Sequence, residues 1–275
     1  MVAGSNPAGR ANFLFFARPP EVFMLEICID TLAGIDAAIE GGADRLELCA
    51  ALAVGGLTPP LSLVTRAAAA PIPSHLLCRP RDGDFCYGPA EAAMVADDIR
   101  LAAEAGLAGV VIGASAADYR LDAELLASWV AHARAEGAKA GRTLSLTLHR
   151  AFDLVPDPLE ALETAIALGF DRILTSGCAP RAADALDTLA ALARQAEGRI
   201  RILAGSGIDA TNARAILATG VPEIHASCRS PGGTPGEAEQ RFGFQTGPGL
   251  HTDPEKVAAL RRILADYRTL NSTNI

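Results

Sequence analysis

Short apolar runs recur along this chain, each introduced by a glycine and each alternating hydrophobic positions with polar or small ones. Gly42-Ala43-Asp44-Arg45-Leu46-Glu47-Leu48 is the first, and residues 106–112, 169–174 and 220–225 repeat the arrangement. A glycine that ends a helix and leads within a few residues into an apolar strand marks the joint of a strand–helix unit. Each interval between these glycines has room for two units of about 30 residues. Carried along the chain, that makes eight units, the count of an α/β fold built as a single closed (β/α)8 TIM barrel. The predicted strands lie near 24–29, 44–49, 75–79, 108–113, 143–149, 171–176, 200–205 and 222–227. Helices are expected near 33–40, 60–68, 89–105, 122–140, 157–168, 181–197, 210–219 and 253–267. In helix 157–168, Asp157 is placed to cap, Pro158 sits in the first turn, and Leu159, Leu162 and Ile166 form the expected buried stripe. Residues 230–253, rich in Gly and Pro, read as a long loop after the last strand.

Period-two alternation separates a helix-facing from a barrel-facing side in each strand. Leu25, Ile27 and Ile29 face outward, which turns Glu26, Cys28 and Asp30 inward. In the second strand Arg45, Glu47 and Cys49 face in; in the fifth, Ser145, Thr147 and His149; in the eighth, Glu223, His225 and Ser227. The third strand is less regular, but Arg79 shares a face with Leu77 and His75. An ordinary barrel interior is packed with branched aliphatics. Carboxylates, thiols, imidazoles and arginine are costly there unless paired or bound to a ligand, so the pattern marks a site at the barrel mouth. Structural roles compete: Arg45 and Arg79 equally suit neutralising Glu47 and Glu26, and an inward cysteine equally suits filling space. Cys78 and Cys228 alternate onto the outward side, as packing residues do.

The composition narrows the classes. The chain has 275 residues, 50% of them hydrophobic, which suits one barrel of about 250 residues and a short extension. Residues 24–275 are assigned to the barrel. Residues 1–23 are expected to be a disordered or wrongly assigned leader, with Met24 as a natural start. The run Phe13-Leu14-Phe15-Phe16-Ala17 is shorter than the ~7 residues of a signal-peptide core and is broken by Arg18-Pro19-Pro20. A net charge of −8 without any long basic run argues against a nucleic-acid partner. No apolar stretch reaches the ~18 residues of a membrane helix, so no membrane partner is expected. The six cysteines show neither a CxxC pair nor a disulfide spacing, as expected of reduced cytoplasmic thiols.

Two loops carry backbone chemistry. Gly205-Ser206-Gly207 after strand seven and Ser176-Gly177 after strand six are placed to offer N–H groups to a phosphate or carboxylate, or to form plain tight turns. Arg79-Pro80-Arg81-Asp82-Gly83-Asp84-Phe85 places two arginines near the mouth, suited either to an anionic ligand or to a structural lid.

The stretches Leu25-Glu26-Ile27-Cys28, residues 42–49, Gly55-Gly56-Leu57-Thr58-Pro59, residues 79–85, His149-Arg150-Ala151-Phe152-Asp153, Leu174-Thr175-Ser176-Gly177 and Glu223-Ile224-His225 together resemble the CutC family, associated by name with copper homeostasis. The resemblance implies a (β/α)8 barrel, a cytoplasmic protein, and Cu(I) bound through Cys28 and Cys49. A homo-oligomer, dimer or tetramer, is the expected assembly. Soft Cu(I) accepts two or three thiolate or imidazole ligands, which suits those thiols on adjacent strands. The thiols leave Glu26, Glu47, Arg79, His149 and His225 unexplained. These suit the alternative, an enzyme such as a lyase, isomerase or hydrolase acting on a small phosphorylated or carboxylated metabolite. In it the carboxylates are general acid and base, Arg79 orients the substrate and His149 relays a proton.

Overall fold

Eight short strands run in parallel and close on themselves in sequence order: β1 Met24–Ile29, β2 Arg45–Leu48, β3 Ser74–Leu77, β4 Gly109–Ile112, β5 Ser145–Leu148, β6 Arg172–Thr175, β7 Arg201–Ala204 and β8 Glu223–Ala226. This computed structural model describes residues 23–245 and 247–272. The alternation sets the faces. Leu25, Ile27, Leu46, Leu48, Leu146 and Ile224 are fully buried against the helices, while their neighbours Glu26, Cys28, Arg45 and Glu47 turn into the barrel. Closure pairs β1 with both β2 and β8, so Cys28 lies beside Glu47 and Glu26 beside His225. A slip of one residue would send every inward group into the aliphatic layer.

The helices are α1 Leu32–Glu40, α2 Leu61–Ala67, α3 Pro89–Ala105, α4 Ala123–Lys139, α5 Pro158–Leu168, α6 Leu186–Ala196, α7 Ala213–Leu217, α8 Glu237–Arg241 and α9 Pro254–Ser272, and all but α8 fall in segments expected to be helical. Asp157 caps α5 by accepting from the Leu159 and Glu160 amides, and Gly169 ends the helix at φ 85°. The buried stripe of α5 differs from expectation. Ala161, Leu162 and Ala165 form it, while Leu159 is 37% exposed in the first turn.

Three segments depart from the sequence reading. The helix expected over 181–197 begins instead with a separate 3-10 turn, Ala182–Asp184, before α6. The helix expected over 210–219 shrinks to α7. The Asp209 carboxylate accepts from the Thr211 amide, and the Asn212 side-chain carbonyl accepts from the Asp209 amide, which diverts the backbone from the helical ladder. The expected loop 230–253 holds a two-stranded antiparallel ribbon, β9 Arg229–Pro231 with β10 Leu250–Thr252, and α8 lies between them. The leader expected over residues 1–22 lies outside the described residues. Phe23, assigned with it, belongs to the barrel. It is 6% exposed and sits edge-on to Tyr267 of α9 with ring centroids 5.4 Å apart.

Candidate functional site

The floor of the barrel is a charged layer built from residues that alternation turns inward. Glu223 accepts from Arg45 Nη2 at 2.5 Å and from Arg172 Nε at 3.2 Å. Arg45 Nε donates in turn to Glu26 Oε2 at 2.5 Å, and Arg172 Nη1 to Ser145 Oγ at 2.7 Å. Burial opposes ionisation of Glu26, yet Arg45 and His225 outweigh it and hold the carboxyl well below its usual range. Burial likewise opposes the charge on Arg45, but Glu26 and Glu223 keep it ionised. His75 is the exception in this layer. Burial, then Arg45, pushes it down to about 3, so it is a neutral imidazole, and its Nδ1 has no partner among the described residues.

Above this layer the chemistry changes. The second oxygen of Glu26 accepts from His225 Nδ1 at 2.8 Å, which leaves Nε2 on the other side of the ring. That nitrogen is 3.8 Å from Glu47 Oε2, and ligand atoms of Cys28, Glu47 and His225 all lie within 4.8 Å of one another. Cys49 is just behind. Its thiol donates to Glu47 Oε2 at 3.2 Å, and it packs with Cys28, Leu77 and Val111. Burial opposes a charged His225, but the neighbouring Cys28 and Glu47 charges and hydrogen bonds to Cys28 and Glu26 raise its pKa well above the ordinary value. Burial pushes Glu47 up despite His225. Burial and the Glu47 charge push the Cys49 thiol well up. A thiol, an imidazole and a carboxylate converging from three strands form a donor set that a soft or borderline metal accepts. The Glu26–His225 bond is the kind that orients a ligating imidazole.

A cavity of about 710 Å³ opens over this cluster at the C-terminal ends of the strands, lined in part by Cys28, Glu47, Arg79, His149 and His225. Glu26 lies beneath it in the charged floor. His149 Nδ1 accepts from the Ala151 amide at 3.1 Å, which places the proton of the neutral ring on Nε2. Burial, then Arg79, pushes this imidazole down to about 3. Only a residue without a side chain fits beneath it, because a Cβ on Gly113 would collide with the ring. Arg79 does not pair with Glu26 or Glu47. It gathers the mouth loops by donating to the carbonyls of Val54 at 2.7 Å, Gly56 at 2.9 Å and Gly83 at 3.1 Å. Arg81 is held by Asp84 and Glu91, the structural-lid arrangement.

The expected anion-binding loops separate. The Ser176 amide donates to Asp153 Oδ1 at 2.9 Å, that of Gly177 to Thr175 Oγ1 at 2.9 Å, and that of Gly205 to the Thr175 carbonyl at 2.9 Å. These three N–H groups are therefore committed within the protein. Ser206 and Gly207 line the cavity, with Ser206 in the left-handed region at φ 83°. The sequence reading did not include Asp153, Arg150, Arg172 or Arg229 in the site. Asp153 knots β5 to β6 through Arg150, Thr175 and Ser176, and it sits in the run 149–153 that already stood out. Arg172 was accessible to the same alternation that exposed Arg45.

A closed (β/α)8 barrel whose mouth joins thiol, imidazole and carboxylate donors beneath a cavity is the class that fold and site define. The CutC family model matches residues 23–230, and the chain belongs to the CutC family. A CutC family protein of Sinorhizobium medicae is 46% identical over 242 residues, 88% of this chain and 96% of the relative. One from Caulobacter vibrioides is 52% identical over 209 residues, 76% and 82% of the two chains. Among solved structures, a Streptococcus agalactiae chain put forward as the copper homeostasis protein CutC superposes with a TM-score of 0.69. It is 29% identical, with 75% of this chain and 99% of that chain covered. Thiamine phosphate pyrophosphorylase from Pyrococcus furiosus, 16% identical with a TM-score of 0.53 over 90% of this chain and 97% of that one, shares the fold.

Proposed function

We propose that this protein takes part in copper homeostasis in the cytoplasm by binding Cu(I) at the floor of the cavity. Cys28 and His225 Nε2, once the metal displaces the imidazolium proton, are the principal ligands, and Cys49, whose thiol donates to Glu47 beside them, is the further sulfur donor. The observation that carries the reading is the bond from His225 Nδ1 to Glu26, which leaves Nε2 within the convergent set that includes Cys28. Sulfur and imidazole suit soft Cu(I), whereas the Glu47 carboxylate is a harder ligand. We assign Glu47 the role of accepting the Cys49 proton. The six free thiols accord with a reducing compartment.

The test is competition against a Cu(I) chelator under reducing conditions. The exposed Cys86 and Cys178 are replaced by serine throughout, so that surface thiols do not contribute. Cys28→Ser with Cys49→Ser should abolish binding, and His225→Gln should weaken it by about a hundredfold or more, beyond the usual cost of losing an outer-shell partner. Unchanged affinity in the folded double variant removes this reading.

A further inference from the structure

Arg79 and His149 stand out because their chemistry is unfinished. Both line the cavity, and both are nearly sealed from solvent, at 6% and 4% exposure. Among the described residues, Arg79 meets three backbone carbonyls and the face of Phe85 but no carboxylate, and its Nε has no partner. The neighbouring Tyr87 does not balance the charge, because burial pushes its hydroxyl up to about 12 and keeps it neutral. A buried guanidinium without a counter-ion is costly, and proteins that keep one supply an anion from elsewhere.

His149 supplies the complementary feature. Its Nδ1 is occupied by the Ala151 amide, so Nε2 is a donor, and this nitrogen too has no partner among the described residues. The two groups meet at one ring: the Phe85 centroid is 4.9 Å from the Arg79 guanidinium carbon and 4.8 Å from the His149 centroid. Arg229 also lines the cavity, and its Nε is unpartnered among the described residues, but its Nη2 already pairs with Asp30 and the Leu250 carbonyl. The carboxylates of the lining do not answer these donors. Asp153 is committed to Arg150, Thr175 and Ser176, and Glu47 faces His225 and Cys49. The remaining wall includes Leu52, Val54, Leu77, Leu154, Leu174 and Ile208, which gives a ligand an apolar flank.

We infer that the cavity is a binding site for a small organic anion whose carboxylate or phosphate is received by Arg79 and the Nε2–H of His149. This goes beyond copper binding and does not depend on it. A pocket of this volume suits a compact metabolite, with a few placed donors fixing one polar end against a largely apolar wall.

The experiment is isothermal titration of the full-length, copper-free protein with three probes at constant ionic strength held by chloride. Inorganic phosphate, 2-phosphoglycolate and malonate separate a preference for phosphate from one for carboxylate. Saturable one-to-one binding of at least one probe is expected. His149→Asn keeps an acceptor for the Ala151 amide while removing Nε2–H, and should weaken that binding about tenfold or more. Arg79→Met should do the same, and thermal melting identifies any variant whose loops no longer fold. Because His149→Asn leaves the loop clamp intact, the inference stays testable even if Arg79→Met unfolds. Cys28→Ser with Cys49→Ser should keep the anion affinity while losing copper, so failure of either reading leaves the other standing. Absence of saturable binding for all three probes overturns the inference, as does binding that a folded His149→Asn variant leaves unchanged.

Discussion

One carboxylate, Glu26, couples the two layers of the barrel interior: Oε1 accepts from His225 Nδ1 at 2.8 Å while Oε2 accepts from Arg45 Nε at 2.5 Å. Glutamine at this position has one acceptor oxygen and an NH₂ group, so it satisfies one of the two donors and opposes the other. Glu26→Gln should therefore lower Cu(I) affinity about tenfold by releasing the His225 ring. Chelator competition on the folded variant measures this, and a full-affinity result would show that the imidazole needs no such restraint.

Glu223 is the hub of the lower layer, accepting from both Arg45 and Arg172 through one oxygen. Its removal leaves two guanidinium groups, each almost fully buried, short of a partner. Glu223→Leu, which removes both the charge and the acceptor, should cost about 3–5 kcal/mol, read from the urea midpoint. Adding Arg172→Met should recover part of the loss. A loss under 1 kcal/mol would mean that water or a rearranged Glu26 takes over the role.

Acid sensitivity should trace partly to His75. Its folded-state pKa is about 3, against an ordinary 6.5, because burial excludes the charged form. The unfolded chain thus binds a proton that the folded chain refuses. The stability from keeping this ring neutral is complete above pH 6.5 and is lost as pH falls toward 3. The slope is roughly 1.4 kcal/mol per pH unit. His149 acts in the same sense, and Glu47, pushed upward by burial, in the opposite sense. The difference between wild type and His75→Leu isolates one histidine. The variant should lose less stability between pH 6 and pH 5, and parallel curves would refute the assignment.

Phe23, just before β1, packs on the helix-facing side of the barrel against Tyr267 of α9. Phe23→Ala should cost about 3 kcal/mol, as truncations of buried aromatic rings do, and Tyr267→Ala should be non-additive with it. Thermal or urea melts of the single and double variants provide the measurement. Additive losses would show that the two rings stabilise the fold separately.

The amino-acid order by itself determined the eight strand–helix units of the barrel and which side chains enter it. These rest on local rules, a period of two in strands and glycine at helix ends, that need no knowledge of distant residues. Glu26, Cys28, Arg45, Glu47, His149 and His225 were all legible in this way. Their partners were not. The pairing of Glu26 with His225, and of Arg45 with Glu223, exists only because closure brings β8 against β1 from the far end of the chain. The same limit explains the loops after β6 and β7. Their glycines marked turns correctly, but whether the amides of Ser176, Gly177 and Gly205 stayed free depended on acceptors. Asp153 comes from another loop, and Thr175 takes its position from the β6–β7 register. Arg79 was read as a group for binding substrate. Tertiary structure turned its outer nitrogens to loop carbonyls and left its charge without a carboxylate partner, because a buried guanidinium takes whatever acceptors the closed fold brings within reach.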